Sequence, residues 1–455
     1  MTEIVPFDRV HMIGVAGAGM SGLAKILAQA GHTVSGSDIK PSPVLTVLEG
    51  AGVETWFGHR PERAGSWDLV VASSAVPDSD PEVTAARTAG VVVWQRPRLL
   101  EALSHDLPTI GITGTHGKTT TTAMVVTALR GLGRDPAFMV GGEMVDLNTN
   151  AHLGHERLLV LEADEAFGTF RDLRLEALAI TNIEEDHLDH YLTPAALRQA
   201  FVDVAAAVKG PVVACVDDAG VRELMQSVPA VIGYGVASDA TWRVADIEHG
   251  SFAVSFTFTG PTCETRVSVP KPGEHVARNA AGALALIGEM GLDVEAAAVG
   301  LSRFGGVRRR FEVRVAIDGL LVVDDYAHHP TEVRATITAA TQGHSGAVVA
   351  VFQPHRFTRT AELGAELGWA LSEATRVFVT DVYAAGEMPI PGVTGRVVAD
   401  AAASAGATVR YVPRRQDLAA IVQADIAPGD LVLLLGAGDI TLVADELAVL
   451  LTHPK

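Results

Sequence analysis

Cysteine is scarce in this 455-residue sequence. Cys215 and Cys263 stand alone, far apart and outside any Cys-x-x-Cys or Cys/His spacing, which excludes a disulfide framework and a zinc cage. A reducing, cytoplasmic setting is therefore expected. Long apolar runs are missing too: nothing approaches the roughly 18 uninterrupted apolar residues of a membrane span. The opening MTEIVPFDRV has no basic region leading into an apolar one, so neither a span nor a signal peptide is expected. Cations are in deficit, 35 Lys plus Arg against 54 Asp plus Glu, and the formal charge of −19 repels a phosphate backbone and argues against a nucleic-acid partner. Tandem repeats and low-complexity segments are absent. What remains is 48% hydrophobic and 20% charged, a folded soluble composition with length for about three domains.

Short β-branched runs alternate with helical patterns from the start: RVHMIGV, SGLAKILAQAG, HTVSGSD, DLVVASSAV, PEVTAARTAG and VVVW. Strand and helix in quick succession predict a parallel sheet flanked by helices. Asp106, Leu107 and Pro108 read as a linker, after which TIGITGTHGKTTT opens a second α/β series. Its later part, TWRVADIEHGSFAVSFTFTGPTCETRVSVP, alternates around turns at Gly250 and Gly260 and predicts a small antiparallel patch. A third α/β series begins near Arg310, with GLLVVDDY, AVVAVF, RVFVTDVY, TVRYV and DLVLLLGAGD as strands. The predicted architecture is α/β in three domains, 1–107, 108–309 and 310–455, the outer two Rossmann-like and the central one a P-loop domain carrying the antiparallel patch.

The glycines Gly17, Gly19 and Gly22 follow a strand and open a helix, with Ala18, Met20 and Ser21 between them, and Asp38 ends the next strand. Such a loop lets a diphosphate approach the backbone at a helix N-terminus. Taken alone it fits a nicotinamide-dependent oxidoreductase, any other diphosphate ligand such as a UDP-sugar, or a tight turn that needs small residues for packing. A second loop, Ile110 to Thr122, reads IGITGTHGKTTTT. Amides of Gly114, Thr115, His116 and Gly117 can cradle phosphates, Lys118 supplies a point charge, the Thr119 hydroxyl can ligate Mg²⁺, and Thr120 continues the helix. It departs from the ordinary P-loop spacing, which puts a glycine where Ile112 stands.

Metal ligands are expected at acidic strand ends: Glu162 with Asp164 and Glu165 in LLVLEADE, then Asp186, His187 and Asp189 in NIEEDHLDH. The bland alternative is a pair of exposed acidic turns, and an imidazole is an unusual Mg²⁺ ligand. FGGVRRRF packs Arg308, Arg309 and Arg310 between aromatics at a domain join, fitting either charge neutralisation in phosphoryl transfer or a solvated hinge. DDYAHHP presents Tyr326, His328 and His329 at one strand end, and FQPHRFTRT presents His355, Arg356 and Arg359 at another, a basic pair of clusters suited to a carboxylate.

GTHGKTTT, EADE, N-x-x-x-DH-x-D, G-x-H-x-x-x-N, F-x-G-V-x-RRF, DDYAHHPTEV, FQPHRFTRT and DVYAAGEMPIPG occur in this order, and together they resemble the Mur ligase family of peptidoglycan synthesis. The resemblance implies an ATP- and Mg²⁺-dependent ligase acting on UDP-N-acetylmuramate and L-alanine, with another amino acid or a peptide as the alternative acceptor. It makes Gly17 to Gly22 a UDP-sugar site, Gly114 to Thr120 an ATP site, Thr119 and Glu162 the ligands of one Mg²⁺, and His187 the ligand of a second. It places His275 and Asn279 on the adenine side of ATP, Arg310 at the hinge, and Tyr326, His328, His355, Arg356 and Arg359 around the amino acid and the reacting carboxyl group. The implied reaction makes an acyl phosphate that the amine of alanine attacks, with Lys118, His187 and Arg310 as catalytic groups and His328 as the base. The family's E-A-D-E-S-D departs here to Glu162-Ala163-Asp164-Glu165-Ala166-Phe167, which removes any contact made by the usual Ser and Asp. Lys209 belongs to no motif that makes it a carbamylated lysine.

Overall fold

The computed structural model describes residues 5–186 and 188–452. Strand and helix alternate as the hydrophobic pattern predicts and produce three sheets. The first contains β1 (Arg9–Ile13), β2 (Thr33–Asp38), β3 (Glu54–Phe57), β4 (Leu69–Ala72) and β5 (Val92–Gln95) in the order β3-β2-β1-β4-β5. Every pair is parallel. The order reverses beside β1, so the loop leaving β1 opens where such sheets bind ligands.

The second sheet contains β6 (Thr109–Thr113), β7 (Pro136–Met144), β8 (Thr149–His152), β9 (Glu156–Glu162), β10 (Ala177–Ile180), β11 (Val212–Cys215), β12 (Ile232–Gly235), β13 (Trp242–His249), β14 (Val254–Thr259) and β15 (Glu264–Val269). Their order is β15-β14-β13-β12-β11-β10-β6-β9-β7-β8, which places β6 between β9 and β10 so that the ends of those two strands flank the loop after β6. The turns joining β13, β14 and β15 are closed by Gly250 N–H to Ala253 O at 2.8 Å and Gly260 N–H to Cys263 O at 2.8 Å, matching the patch predicted from the alternation. The antiparallel pair β7–β8 was not legible as strands, because FMVGGEMVDLNTNAH mixes glycines and polar residues with its apolar run. The segment expected as a linker is no loose tether: a helix runs to Asp106, Leu107 is buried and β6 begins at Thr109.

The third sheet contains β16 (Glu312–Ile317), β17 (Leu320–Asp325), β18 (Val348–Phe352), β19 (Arg376–Val379), β20 (Val409–Tyr411) and β21 (Leu431–Leu435) in the order β16-β17-β21-β18-β19-β20. Only β16 runs antiparallel to its neighbour. Its central strands are continuous apolar runs such as LVLLL, buried along their whole length because helices cover both faces.

The described residues pack into two compact units, one of 1–245 with 258–265 and 278–304, the other of 246–257 with 266–277 and 305–455. The first sheet and strands β6 to β12 of the second share a unit for a visible reason. The helix Ala18–Ala30 lies on the β7–β8 hairpin, with Gly22 against Ala151 and Met139. Lys25 Nζ donates to Thr149 Oγ1 at 3.2 Å and Asn150 Oδ1 at 3.0 Å, and Leu153 N–H donates to Gln29 Oε1 at 2.7 Å. One apolar core runs from Val10 and Leu23 through Met139 and Ala151 to Leu161 and Phe201. Among the described residues, no helix is long and apolar enough to cross a membrane.

Candidate active site

The loop after β6 is built around two glycines whose positions admit no side chain. Gly114 has φ +125°, and a Cβ there would collide with the Thr181 hydroxyl and stand 2.8 Å from Asn182 O. Gly117, with φ +83°, starts the helix Lys118–Gly131 without any side-chain cap, and a Cβ there would lie 2.7 Å from Asn279 Oδ1. Elsewhere Ser42, Asp80, Thr193, Asp218, Asp293 and Thr394 cap their own helices with side-chain oxygens. Leaving this N-terminus uncapped keeps its amides and its positive dipole end available to an anion. Ile112 needs no replacement by glycine because it is still inside β6, buried and paired with Glu162.

The loop is braced from β10. His116 N–H donates to Asn182 Oδ1 at 2.8 Å, the Thr181 hydroxyl donates to His116 O at 2.5 Å, and Thr115 N–H donates to Asn182 O at 3.1 Å. Lys118 Nζ reaches the Glu165 carboxylate at 2.7 and 2.8 Å and stands 3.6 Å from Asp164. Burial works to lower the Lys118 pKa, but the charges of Glu165, Asp164 and Glu162 more than reverse this, so the amine is held firmly protonated. Thr119 Oγ1 donates to Glu162 Oε2 at 2.9 Å, and Gly141 N–H on β7 donates to the same oxygen at 3.0 Å. A hydroxyl and a carboxylate so close form a hard-oxygen donor pair of the kind Mg²⁺ takes. His187 lies outside the described residues. Asp186 precedes it at the end of the segment that follows β10, and Ala166 begins a short 3₁₀ turn after Glu165.

The first glycine loop also ends in an uncapped helix, with Gly17 as N-cap and no acidic residue in the first turn of Ala18–Ala30. Asp38 holds the loop: its carboxylate accepts Ala16 N–H at 3.1 Å and Lys40 N–H at 3.0 Å. Ser21 turns its hydroxyl back to Ala18 O at 3.0 Å, Met20 is buried in the core, and Gly22 serves helix–hairpin packing. Gly19 faces the Arg96 guanidinium, a residue that no motif in the sequence had marked.

In the second unit the ends of β17 and β18 bring His328 and His355 together, ring centroids 5.9 Å apart, with Tyr326 edge-on to His328 at 5.3 Å. His328 Nδ1 lies 3.0 Å from Tyr326 O; meeting a carbonyl there requires the proton on Nδ1 and leaves the lone pair on Nε2. Burial, seconded by the Arg359 and Arg310 charges against the opposing Glu332, brings its pKa down to about 4. Burial, with Arg359 and Arg356 adding to it, brings His355 to about 4 as well. The near-neutral value wanted of a solution-like base is therefore not what these rings have in the unliganded chain. Arg309 and Arg310 both lie over the Tyr326 ring at 5.0 Å, but they differ in employment. Arg309 donates to Gly436 O at 2.7 Å and Gly438 O at 3.2 Å and staples the GAGD turn, whereas Arg310 Nη1 stands 3.9 Å from Glu332. Arg356 is exposed, takes φ +67° at a helix start and keeps its Nε 4.0 Å from Glu387.

The predicted residues thus gather in two groups. Glu162 from β9 and Asn279 from the helix Glu274–Glu289 meet the loop Gly114 to Thr120 in the first unit; Arg310, Tyr326, His328, His355, Arg356 and Arg359 surround two strand ends in the second. Asn279 stands against Gly117, at the phosphate end of the loop, and His275 packs its ring beside Gly273 in the second unit. Thr181 escaped sequence reasoning, and Asn182, the first residue of the N-x-x-x-DH-x-D motif, was given no role there, although their place directly after a strand was the available signal.

Residues 9–106 match the Mur ligase family, catalytic domain; residues 112–287 match the Mur ligase middle domain; and residues 309–438 match the Mur ligase, glutamate ligase domain. The UDP-N-acetylmuramate–L-alanine ligase of Mycolicibacterium vanbaalenii is 43% identical over 97% of this chain and 95% of its own. The enzyme of the same name from Rubrobacter xylanophilus is 42% identical over 96% and 99%. Among solved structures, the UDP-N-acetylmuramate–alanine ligase of Thermotoga maritima superposes with a TM-score of 0.85 at 27% identity, covering 98% of this chain and all of that one.

Proposed function

The chain belongs to the Mur ligase family, and we propose that it is an ATP-dependent amide-forming ligase that joins L-alanine to the carboxyl group of UDP-N-acetylmuramate in peptidoglycan precursor synthesis. The observation that carries this reading is the agreement over 97% of its length with a 43% identical relative whose name states that reaction. We assign residues 1–107 to the sugar nucleotide, 108–309 to ATP and 310–455 to the amino acid, and we place the reaction in the cytoplasm.

A carboxylate is a poor acyl donor because oxide would have to leave. Transfer of the γ-phosphoryl group of ATP to the carboxylate forms an acyl phosphate, whose phosphate leaves readily once an amine attacks. Lys118 holds a positive charge at the loop that cradles the phosphates, and Arg310 supplies another from the amino-acid side; electrostatic stabilisation of this kind dominates phosphoryl transfer. Thr119 and Glu162 would hold one Mg²⁺, with His187 assigned to a second. When bound, Mg²⁺ supplies neutralisation of the phosphate oxygens. Gly117 and Asn279 close the phosphate loop against the helix that carries His275. We assign His328, with its lone pair on Nε2, as the group that takes a proton from the alanine ammonium, a role that requires the negative charge of bound phosphate to raise its basicity above that of the unliganded chain; Tyr326, His355, Arg356 and Arg359 complete the acceptor site.

The test is release of inorganic phosphate from ATP and Mg²⁺, with UDP-N-acetylmuramate and, separately, L-alanine, glycine, L-serine or an L-alanine-headed tripeptide. Release that needs both the sugar nucleotide and L-alanine supports the reading. Release with the tripeptide alone moves the assignment to a peptide ligase, and no release with any acceptor overturns it.

A further inference from the structure

Arg96 opens the helix Arg96–Asp106 directly after β5, and its guanidinium reaches across to the first glycine loop. An ideal Cβ at Gly19 would lie 2.8 Å from Arg96 Cζ, Nε and Nη2 alike, so the planar group is laid flat against the glycine. Its Nε is buried and has no hydrogen-bond partner, and the residue forms no ion pair among the described residues. A buried donor of a charged group with nothing to bond is costly, so its position calls for an acceptor that arrives from outside. The neighbouring atoms say what that acceptor is. The first amides of the adjacent helix, at Ala18, Gly19 and Met20, lack intrahelical acceptors, and the loop offers no side-chain cap. Lys25, the one cation on that helix, is committed to Thr149 and Asn150. Amides alone would thus face the two negative charges of a diphosphate in a chain whose net charge is −19.

We propose that Arg96 is the cationic ligand of the sugar nucleotide's diphosphate, and that Gly19 is glycine because the Arg96 guanidinium occupies the space of its side chain. This rests on the sugar-nucleotide reading of the loop and adds to it a residue that binds the phosphates and not the base. Guanidinium geometry matches two phosphate oxygens at once, which an ammonium does not.

The experiment measures binding of UDP, and of uridine as a phosphate-free probe, to the full chain by calorimetry and competition, with ATP binding as a control on folding. Arg96→Ala is expected to weaken UDP about 10- to 100-fold, the loss typical of a charge-assisted contact, while leaving uridine and ATP unchanged. Gly19→Ala, by displacing the guanidinium, is expected to reproduce much of that loss. UDP binding that is unchanged in Arg96→Ala, or a loss that falls equally on uridine, overturns the proposal while leaving the sugar-nucleotide reading intact. Failure of the unmodified chain to bind UDP at all removes both. Should Arg96→Ala also lose ATP through misfolding, Arg96→Lys decides in its place: weaker UDP with unchanged uridine supports the assignment, and unchanged UDP overturns it.

Discussion

Replacing Glu165 by glutamine probes the ion pair that holds Lys118 in the unliganded chain. The Glu165 side chain is 2% exposed and Lys118 11%, with two contacts of 2.7 and 2.8 Å between them. Removing one partner of a buried pair costs about 3–5 kcal/mol because the other charge stays behind. Asp164 remains 3.6 Å from Lys118 on a side chain 37% exposed, so the lower end, about 3 kcal/mol, is expected for Glu165→Gln without nucleotide. Phosphate oxygens from ATP replace the missing carboxylate, so the penalty shrinks when nucleotide is bound. By thermodynamic reciprocity the variant should then bind ATP more tightly, by up to about two orders of magnitude at 1.4 kcal/mol per decade. Urea unfolding with and without a non-hydrolysable ATP analogue measures the first quantity, and calorimetric titration of the analogue the second. Equal destabilisation in both conditions, with affinity unchanged or reduced, would refute the view that Glu165 and the nucleotide compete for Lys118.

Three further outcomes follow from the geometry. Gly114→Ala combines φ +125° with a Cβ driven into Thr181 and Asn182, and should cost about 3 kcal/mol; a lowered urea midpoint together with lost ATP binding is the check, and a near-native midpoint would count against it. Thr119→Val deletes the hydroxyl beside Glu162 and should raise the Mg²⁺ concentration needed for half-maximal phosphate release about tenfold, with Glu162→Gln more severe and EDTA abolishing release. Acidification should destabilise the second unit over a defined window. The folded His328 and His355 protonate near pH 4 and an unfolded histidine near 6.5, so the unfolded chain binds more protons in between. Stability is complete above about pH 6.5 and falls as pH drops from there toward 4; His328→Asn should flatten this slope in urea titrations run at pH 7.5 and 5.

Much of this was legible before any coordinates, and the boundary of legibility is physical. The strands LVVA and LVLLL announce themselves because burial on both faces demands continuous apolar residues. The loop glycines and Lys118 are readable because phosphate binding restricts them to a few residue types at fixed spacing. The β7–β8 hairpin was missed because half of its register is irregular, shifting between Met139 and Met144, and its glycines serve neighbours that are distant in sequence. Arg96 was invisible for a related reason: it lies against Gly19, 77 positions away, and local pattern holds no trace of such a contact. The depressed pKa of His328 depends on burial, which a strand-end histidine in a sequence does not disclose.

The clasp between the helix Ala18–Ala30 and the β7–β8 hairpin has a consequence for substrate choice. Asn150 donates to Ala18 O at 2.9 Å, beside the first glycine loop, while Gly141 on the same hairpin donates to Glu162, beside the second. The two loops are the jaws of a fixed caliper. On the proposed reading, a donor anchored by its diphosphate in the first jaw would bring its carboxylate to the second only if its own length matched the gap, so the protein would gauge the molecule before any chemistry began.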